Sequence, residues 1–449
     1  MDTFSESKLN PQYSVFILLL LISSLLLLSF PAWSQEAESC QSAKCHDDIG
    51  KQKWVHGPAA AGECKICHAK VGKHKFKLTQ QGSLLCYECH EPLVNEAHVH
   101  KPVKDGDCTG CHDPHQSNNR YSLRKPAGPQ LCFLCHDDTI TKHKFLHRPV
   151  ADGDCLGCHN SHSSPNKNLL KKVGMELCYS CHSEIKQALD SKAHVHSAAE
   201  DSCTESCHSP HGGPVKFMLK AKKNVREVCF ECHDEVAAEV KAGVRHSPVV
   251  KDGECANCHN PHAADFEPLL KLEPLKMCLK CHNRSVKGGD GAQLMDMAKL
   301  LKANPDHHGP IKDSDCSKCH NPHGSNSFRM LTHDYPAKFY APFKLESFAL
   351  CTKCHEKDTF LKARTAQHTD FRNGDQNLHF LHVNRKVKGR TCRACHETHA
   401  SKSPRHIRES VPFGKWKLPT NFKKSKTGGY CLPGCHKEKK YDRNKPVKY

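Results

Sequence analysis

The sequence predicts mostly irregular coil with short α-helices and almost no β-sheet, organised around groups that the polypeptide does not itself supply. Three observations predict this. Of 449 residues, 37% are hydrophobic and 7% aromatic, too few to fill a core of ordinary density. The chain carries 30 cysteines and 37 histidines, far above the usage of a domain that packs on its own side chains. It also repeats itself, each unit holding two copies of one cysteine motif.

Every cysteine belongs to a pair whose second member is followed directly by histidine. Twelve pairs have two intervening residues: Cys64/Cys67/His68, Cys86/Cys89/His90, Cys108/Cys111/His112, Cys132/Cys135/His136, Cys155/Cys158/His159, Cys178/Cys181/His182, Cys229/Cys232/His233, Cys255/Cys258/His259, Cys278/Cys281/His282, Cys316/Cys319/His320, Cys351/Cys354/His355 and Cys392/Cys395/His396. Cys203/Cys207/His208 and Cys431/Cys435/His436 have three, and Cys40/Cys45/His46 has four. This is the signature of covalent haem attachment: the thiols form thioethers to the porphyrin vinyl groups, and the next histidine ligates iron from the proximal side. Zinc knuckles and a disulfide framework are the competing readings, but neither needs histidine in that one place fifteen times. The cofactor expected is haem c, about fifteen copies, and the macrocycles are the core. Each buried macrocycle contributes on the order of 10 kcal/mol by area, so the apoprotein is expected to be largely unfolded.

Aligned with itself, the chain shows a unit of two motifs: His-x-Pro-Val, an Asp-Gly-Asp turn, Cys-x-x-Cys-His-x-Pro-His, an apolar Leu-Leu, then Leu-Cys-x-x-Cys-His. Units start at His56, His100, His147, His196, His246, His308 and His382, the first being shorter and irregular around His74. The organisation expected is an export signal or uncleaved anchor over 1–34, a leading single-haem segment over 35–55, seven doubled repeats over 56–436, and a basic tail over 437–449. Later units are longer. Their added segments (Asn283 to Asp306, Gly324 to Leu350, Glu356 to His379, Ala400 to Tyr430) are candidates for surface contact or for closing a haem row. Helical spacing is expected from Ser183 to Leu189 and from Gln293 to Leu301, the latter stopping at Asn304-Pro305.

Beyond the fifteen proximal histidines there are 22 more, and their positions recur. His56, His100, His147, His196, His246, His308 and His382 each open a unit. His115, His162, His211, His262, His323 and His399 follow the leading motif, with His74 in the irregular first unit. These fourteen are the candidate distal ligands, and the haem of Cys40/Cys45 takes one of the surplus: His98, His143, His194, His307, His333, His368, His379 or His406. Six methionines after residue 34 cannot serve fifteen irons. Bis-histidine ligation leaves no open iron position and favours low potential, which suits electron transfer rather than catalysis. No catalytic residue is assigned. A reductase would need one haem without a sixth ligand, the Cys40/Cys45 and Cys431/Cys435 haems being the candidates.

An apolar run from Val15 to Phe30, then Pro31-Ala32-Trp33-Ser34, suits signal-peptidase cleavage before Gln35; Lys8 opposed by Asp2 and Glu6 leaves an uncleaved anchor as the alternative. Either way the remainder is exported, to the periplasm, the outer membrane or beyond. From residue 35 onward the formal charge is +19. Two propionates on each of fifteen haems would bring the holoprotein to about −11, with many lysines serving as their partners. A nucleic-acid partner is therefore excluded, and membrane contact is confined to the N-terminal segment or to a partner protein. From Ser401 to Tyr449 fourteen Lys+Arg stand against three acids, either a solvated tail or a docking face for an acidic redox partner.

The unit resembles the doubled-CXXCH multihaem cytochrome c family, with motifs running from about His56 to His436. That family includes the periplasmic pentahaem electron donor to nitrite reductase and the decahaem component of porin–cytochrome conduits. The resemblance implies a periplasmic row of closely stacked, bis-histidine haems. They would move electrons from a quinol-linked inner-membrane donor towards an outer-membrane porin and an extracellular cytochrome. A terminal reductase and a subunit of an extracellular cytochrome filament are the alternatives.

Overall fold

The computed structural model describes residues 40–41, 45–251, 255–288, 291–413, 415–434 and 436–449. The expected signal segment over 1–34 and Cys435 lie outside the described residues. No helix among the described residues is long and apolar enough to cross a membrane. The described residues cluster in two compact units, one within Met1–Pro92 and Lys101–Ala127, the other within Leu93–His100 and Gly128–Tyr449.

Helices are short throughout. Ser183–Ser191, at nine residues, follows directly from His182 and has Glu184 in its first turn, where the helix dipole favours an acid. Several unit-opening histidines lead into four-residue helices with proline at the start, as in Gly57–Ala60, Arg148–Ala151 and Gly309–Lys312. Helices this short do not stand alone in water and depend on what they are tied to. The helix expected from Gln293 begins later, at Met297–Ala303. Asp296 caps it by accepting from the Lys299 N–H at 2.8 Å, while Gln293–Leu294 pairs with Val286–Lys287.

The expectation of almost no sheet is corrected. Two-residue strands recur through the chain in antiparallel pairs: Trp54–Val55 with Gln116–Ser117, His98–Val99 with Ser163–Ser164, Phe145–Leu146 with Gly212–Gly213, His194–Val195 with Ala263–Ala264, Val244–Arg245 with Gly324–Ser325, and Asp306–His307 with Ala400–Ser401. In each the dipeptide before one repeat meets the dipeptide after the leading motif of the next. Larger pieces are the hairpin His68–Gly72/Lys75–Leu78, the pair Ser410–Phe413/Trp416–Pro419, and a three-stranded sheet of Lys423–Lys424, Gly428–Cys431 and Lys439–Asp442. The C-terminal residues are thereby tied down, and Asn373 Nδ2 also donates to the Val447 carbonyl at 2.8 Å.

Sixteen hydrophobic residues are buried among those described, six of them alanine, which leaves no conventional core. One cluster does form in the lengthened segment after His320. Leu331, Tyr335 and Phe348 pack with Phe328, Phe343 and Leu350 against Cys351 and Cys392. The Tyr335 hydroxyl accepts from the Arg393 N–H at 2.9 Å, and the Arg393 guanidinium lies over Phe328, Tyr335 and Phe339. That added segment seals two adjacent motifs.

Candidate haem-binding sites

The local geometry begins with a 3-10 turn over the motif itself, as in Cys64–Ile66, Cys108–Gly110, Cys155–Gly157, Cys255–Asn257 and Cys392–Ala394. The aspartate ahead of it accounts for part of the Asp-Gly-Asp signature: Asp107 and Asp154 accept from the Gly110 and Gly157 N–H groups, both at 2.8 Å. The histidine N–H then closes onto the first cysteine's carbonyl (His112 to Cys108 and His320 to Cys316, both 3.0 Å), which sets the imidazole beside the two thiols.

In six of the seven leading motifs, a backbone carbonyl nine residues after the proximal histidine accepts from its Nδ1–H. The acceptors are Tyr121 for His112, Asn168 for His159, Phe217 for His208, Pro268 for His259, Arg329 for His320 and Arg405 for His396, at 2.8–3.0 Å. Tyr121, Asn168, Phe217, Arg329 and Arg405 hold φ between 55° and 62°, the left-handed region that costs a non-glycine residue on the order of 1–3 kcal/mol. The conformation turns the carbonyl towards the imidazole, fixes the tautomer, and leaves Nε2 as the lone-pair nitrogen that ligates iron.

The assigned thiols differ in how far the polypeptide covers them. Cys45, Cys89, Cys135, Cys181, Cys232, Cys281 and Cys354 are exposed, whereas the second cysteines of the leading motifs are half-buried. The difference has a backbone cause. In the leading motifs the chain folds back over the second cysteine, whose carbonyl accepts an N–H at 2.9 Å: Thr79 to Cys67, Arg124 to Cys111, Lys171 to Cys158, Lys220 to Cys207, Lys271 to Cys258, Thr332 to Cys319 and Arg408 to Cys395. The trailing motifs of Cys89, Cys135, Cys181, Cys232, Cys281 and Cys354 run straight on into the next segment, and their second thiols stay at the polypeptide surface. Cys45 closes the four-residue variant, ahead of the first repeat, and is exposed in the same way.

The short strand pairs place the second histidines. In each ladder the N–H of a unit-opening histidine donates to the carbonyl of the next repeat's post-motif histidine: His56 to His115, His100 to His162, His147 to His211, His196 to His262, His246 to His323 and His308 to His399. The opening histidine also gives its Nδ1–H to the residue before that partner (His56 to Pro114, His100 to Ser161, His147 to Pro210, His196 to Pro261, at 2.9–3.0 Å). Five of these six ladders hold two imidazoles that face two different proximal histidines.

The opening histidine faces the trailing motif of its own repeat: His56–His90, His100–His136, His147–His182, His196–His233, His246–His282 and His308–His355. The post-motif histidine reaches back to the leading motif of the repeat before: His115–His68, His211–His159, His262–His208, His323–His259 and His399–His320. With His379–His396 these make twelve pairs, with ring centres 5.9–6.3 Å apart and planes within 3–33° of parallel. Two metal–nitrogen bonds of about 2.0–2.1 Å, with about 1.1 Å from each nitrogen to its ring centre, give about 6.2–6.4 Å across one metal atom. Direct ring stacking would scatter over a range of about 4.5–7 Å. The donor set and its spacing fit a haem iron.

At some of these positions burial favours the neutral imidazole, the form that binds metal: it holds His379 down at about 3 and His399 at about 4, and also lowers His211, His246, His262 and His308.

Other expected histidines are placed by different contacts. His74 is exposed at the turn of the His68–Leu78 hairpin with φ 59°, and no imidazole faces it among the described residues; His115 takes the place opposite His68. His162 accepts from His100 on its carbonyl, and His112 keeps its carbonyl partner, Tyr121. His382 gives its Nδ1–H to the Leu378 carbonyl at 2.7 Å. Burial, with His436 among the charges near it, lowers its pKa. His379 was only one of the surplus in the sequence, yet it faces His396. The available signal was arithmetic: the last repeat has no successor to reach back to its leading motif. Of the remaining surplus, His368 donates to Glu356 at 2.6 Å, and His307 Nε2 bonds the Leu301 carbonyl.

Successive motifs also approach one another through their thiols, in two alternating ways. Between repeats the first cysteines share hydrogen bonds: Cys40 with Cys64, Cys86 with Cys108, Cys178 with Cys203, Cys229 with Cys255, Cys278 with Cys316 and Cys351 with Cys392. Within repeats the second cysteines are neighbours, as in Cys158 with Cys181, Cys207 with Cys232, Cys258 with Cys281 and Cys319 with Cys354. Glycine permits this approach: at Gly128 (φ 102°) a Cβ would lie 2.7 Å from the Gly153 carbonyl. A continuous cavity of about 3680 Å³ runs along eight successive motifs, from Cys155 to His355. Single small-molecule sites measure about 300–1,000 Å³.

The doubled CXXCH motif family model matches 56–95, 100–141, 147–187, 196–238, 246–287 and 308–360, more than half of the chain. The chain belongs to this family. Similar proteins include the multiheme cytochrome MtrA of Shewanella baltica, 29% identical over 174 residues (34% of this chain, 47% of that protein). The C-type polyheme cytochrome OmcB of Geobacter sulfurreducens is 24% identical over 302 residues (54% and 38%), and the high-molecular-weight cytochrome c of Nitratidesulfovibrio vulgaris is 24% identical over 183 (36% and 28%). The chain thus spans less than half the length of each. With its motifs, these matches make it a multihaem c-type cytochrome with covalently bound haem c.

Proposed function

We propose that the chain holds fifteen haems, one at each motif. In this reading it carries electrons over long distance, on the periplasmic side, from a quinol-linked donor towards an outer-membrane porin and an extracellular cytochrome. The observation that carries this reading is the set of twelve facing imidazole pairs at one spacing. A haem held at each motif supplies reversible one-electron chemistry. The polypeptide's work is to attach each macrocycle through two thiols, offer imidazole on both faces so that substrates and water find no open iron, and hold neighbouring motifs close together. Hydrogen bonding of Nδ1 to carbonyls orients the proximal histidines of six leading motifs and the opening histidines His56, His100, His147 and His196 before the metal arrives.

A second reading, a haem-based terminal reductase, is favoured at one place. Among the described residues no imidazole ring faces His46, the proximal histidine of the four-residue variant. Electron paramagnetic resonance of the oxidised protein, with haem quantified in the same sample, separates the two. Fifteen low-spin haems support the electron conduit. One stoichiometric high-spin haem turns the assignment towards a reductase. A haem count well below fifteen refutes the proposal.

A further inference from the structure

We propose that Glu239 sets the potential of one haem midway along the series of motifs, the one assigned to Cys255, Cys258 and His259, by acting through its distal ligand. His323 faces His259 with ring centres 6.2 Å apart. Its Nδ1 lies 2.9 Å from Glu239 Oε2, where His56, His100, His147 and His196 use backbone carbonyls. The carboxylate is held in turn. Asn321 Nδ2 donates to Glu239 Oε1 at 2.6 Å, and Asn321 Oδ1 accepts from the His323 N–H at 3.0 Å. All three side chains are partly buried.

Glu239 ends the helix Asp234–Glu239, which follows His233, the proximal histidine of the preceding motif. The strand bearing His323 meets this helix end because residue 324 is glycine; a Cβ there would lie 2.5 Å from the Glu239 carbonyl. Carboxylates also approach His115 (Asp113, 4.0 Å) and His182 (Glu184, 3.6 Å), but beyond hydrogen-bonding distance. A carboxylate accepting the Nδ1–H pushes electron density onto the imidazole, makes it a stronger donor and stabilises ferric over ferrous iron. The series therefore contains a reducing step at its tenth motif, counted from Cys64, Cys67 and His68 as the second, and an electron crossing from either neighbour must climb to it.

The proposal rests on the bis-histidine assignment, and the experiment separates the two. Glu239→Gln keeps size and an acceptor oxygen but removes the charge. At one fixed pH, a potentiometric titration followed by electron paramagnetic resonance is expected to show one haem whose ferric–ferrous equilibrium moves about tenfold towards ferrous. That is an upward shift of about 59 mV for one electron. The low-spin count is expected to stay the same and Glu235→Gln, on the same helix, to change nothing. The shift should vanish when Cys255 and Cys258 are both changed to alanine. Unmoved potentials in E239Q overturn the proposal. So does a new high-spin signal, which would make Glu239 a mere prop for His323. Fourteen haems in the unaltered protein, with none at Cys255/Cys258, would instead remove the coordination reading beneath it.

Discussion

His115→Ala tests the feature that ties the repeats together. In sequence His115 belongs to the motif Cys108/Cys111/His112, three residues after its proximal histidine. In space its ring faces His68, of the repeat before, with centres 6.0 Å apart and planes 20° from parallel. Truncation should therefore open the iron at Cys64/Cys67 and leave its own motif's haem intact. No other described imidazole faces His68, so the expected signal is one high-spin haem per chain, about one-fifteenth of the total. The reduced protein should bind one equivalent of carbon monoxide. The backbone is spared, because the His115 carbonyl still accepts from His56 and its N–H still donates to Asp113, both at 2.9 Å. The roughly 0.5–1.5 kcal/mol of each such bond is retained, so the other haems should stay low-spin. The assignment is made by deleting haems in turn: the new signal should disappear when Cys64 and Cys67 are alanine and persist when Cys108 and Cys111 are. The opposite pattern would refute the cross-repeat geometry.

Other outcomes follow from the same structure. His379→Ala should open the Cys392/Cys395 haem, one high-spin equivalent, because His379 faces His396 at 6.3 Å; an all-low-spin spectrum would assign that position to another residue. Asp154→Ala removes the acceptor for the Gly157 N–H and should cost about 1 kcal/mol, read as a lower melting temperature with haem content unchanged. Gly128→Ala places a Cβ 2.7 Å from the Gly153 carbonyl in a backbone that already has φ 102°. The strain of about 1–3 kcal/mol should lower thermal stability more than Asp154→Ala does.

Chemistry was legible in the sequence because it is local. Paired thiols three to five residues apart, the second followed by histidine, must present one another to a single macrocycle, and fifteen repetitions leave no other reading. The recurrent histidines were legible as a set for the same reason. Their partners were not. His56 and His115 are 59 residues apart in sequence and are joined by a strand pair two residues long, which has no alternation of apolar and polar positions to read. The small sheets were missed on the same ground. So was the split between half-buried and exposed thiols: Cys111 and Cys135 sit in motifs of one form, and only the loop that returns to Cys111 tells them apart. His379 and Glu239 were missed because neither lies in a motif; each matters through what another repeat brings beside it.

By itself, then, the sequence determined the cofactor chemistry, the seven doubled motifs and the pool of imidazoles, since covalent attachment depends on neighbours along the chain. Only the tertiary structure decided which imidazole faces which motif, that five post-motif histidines complete the repeat before their own, and that one ligand leans on a carboxylate. Those are pairings between residues tens of positions apart. They are set by backbone hydrogen bonds between repeats, and side-chain pattern carries no record of them.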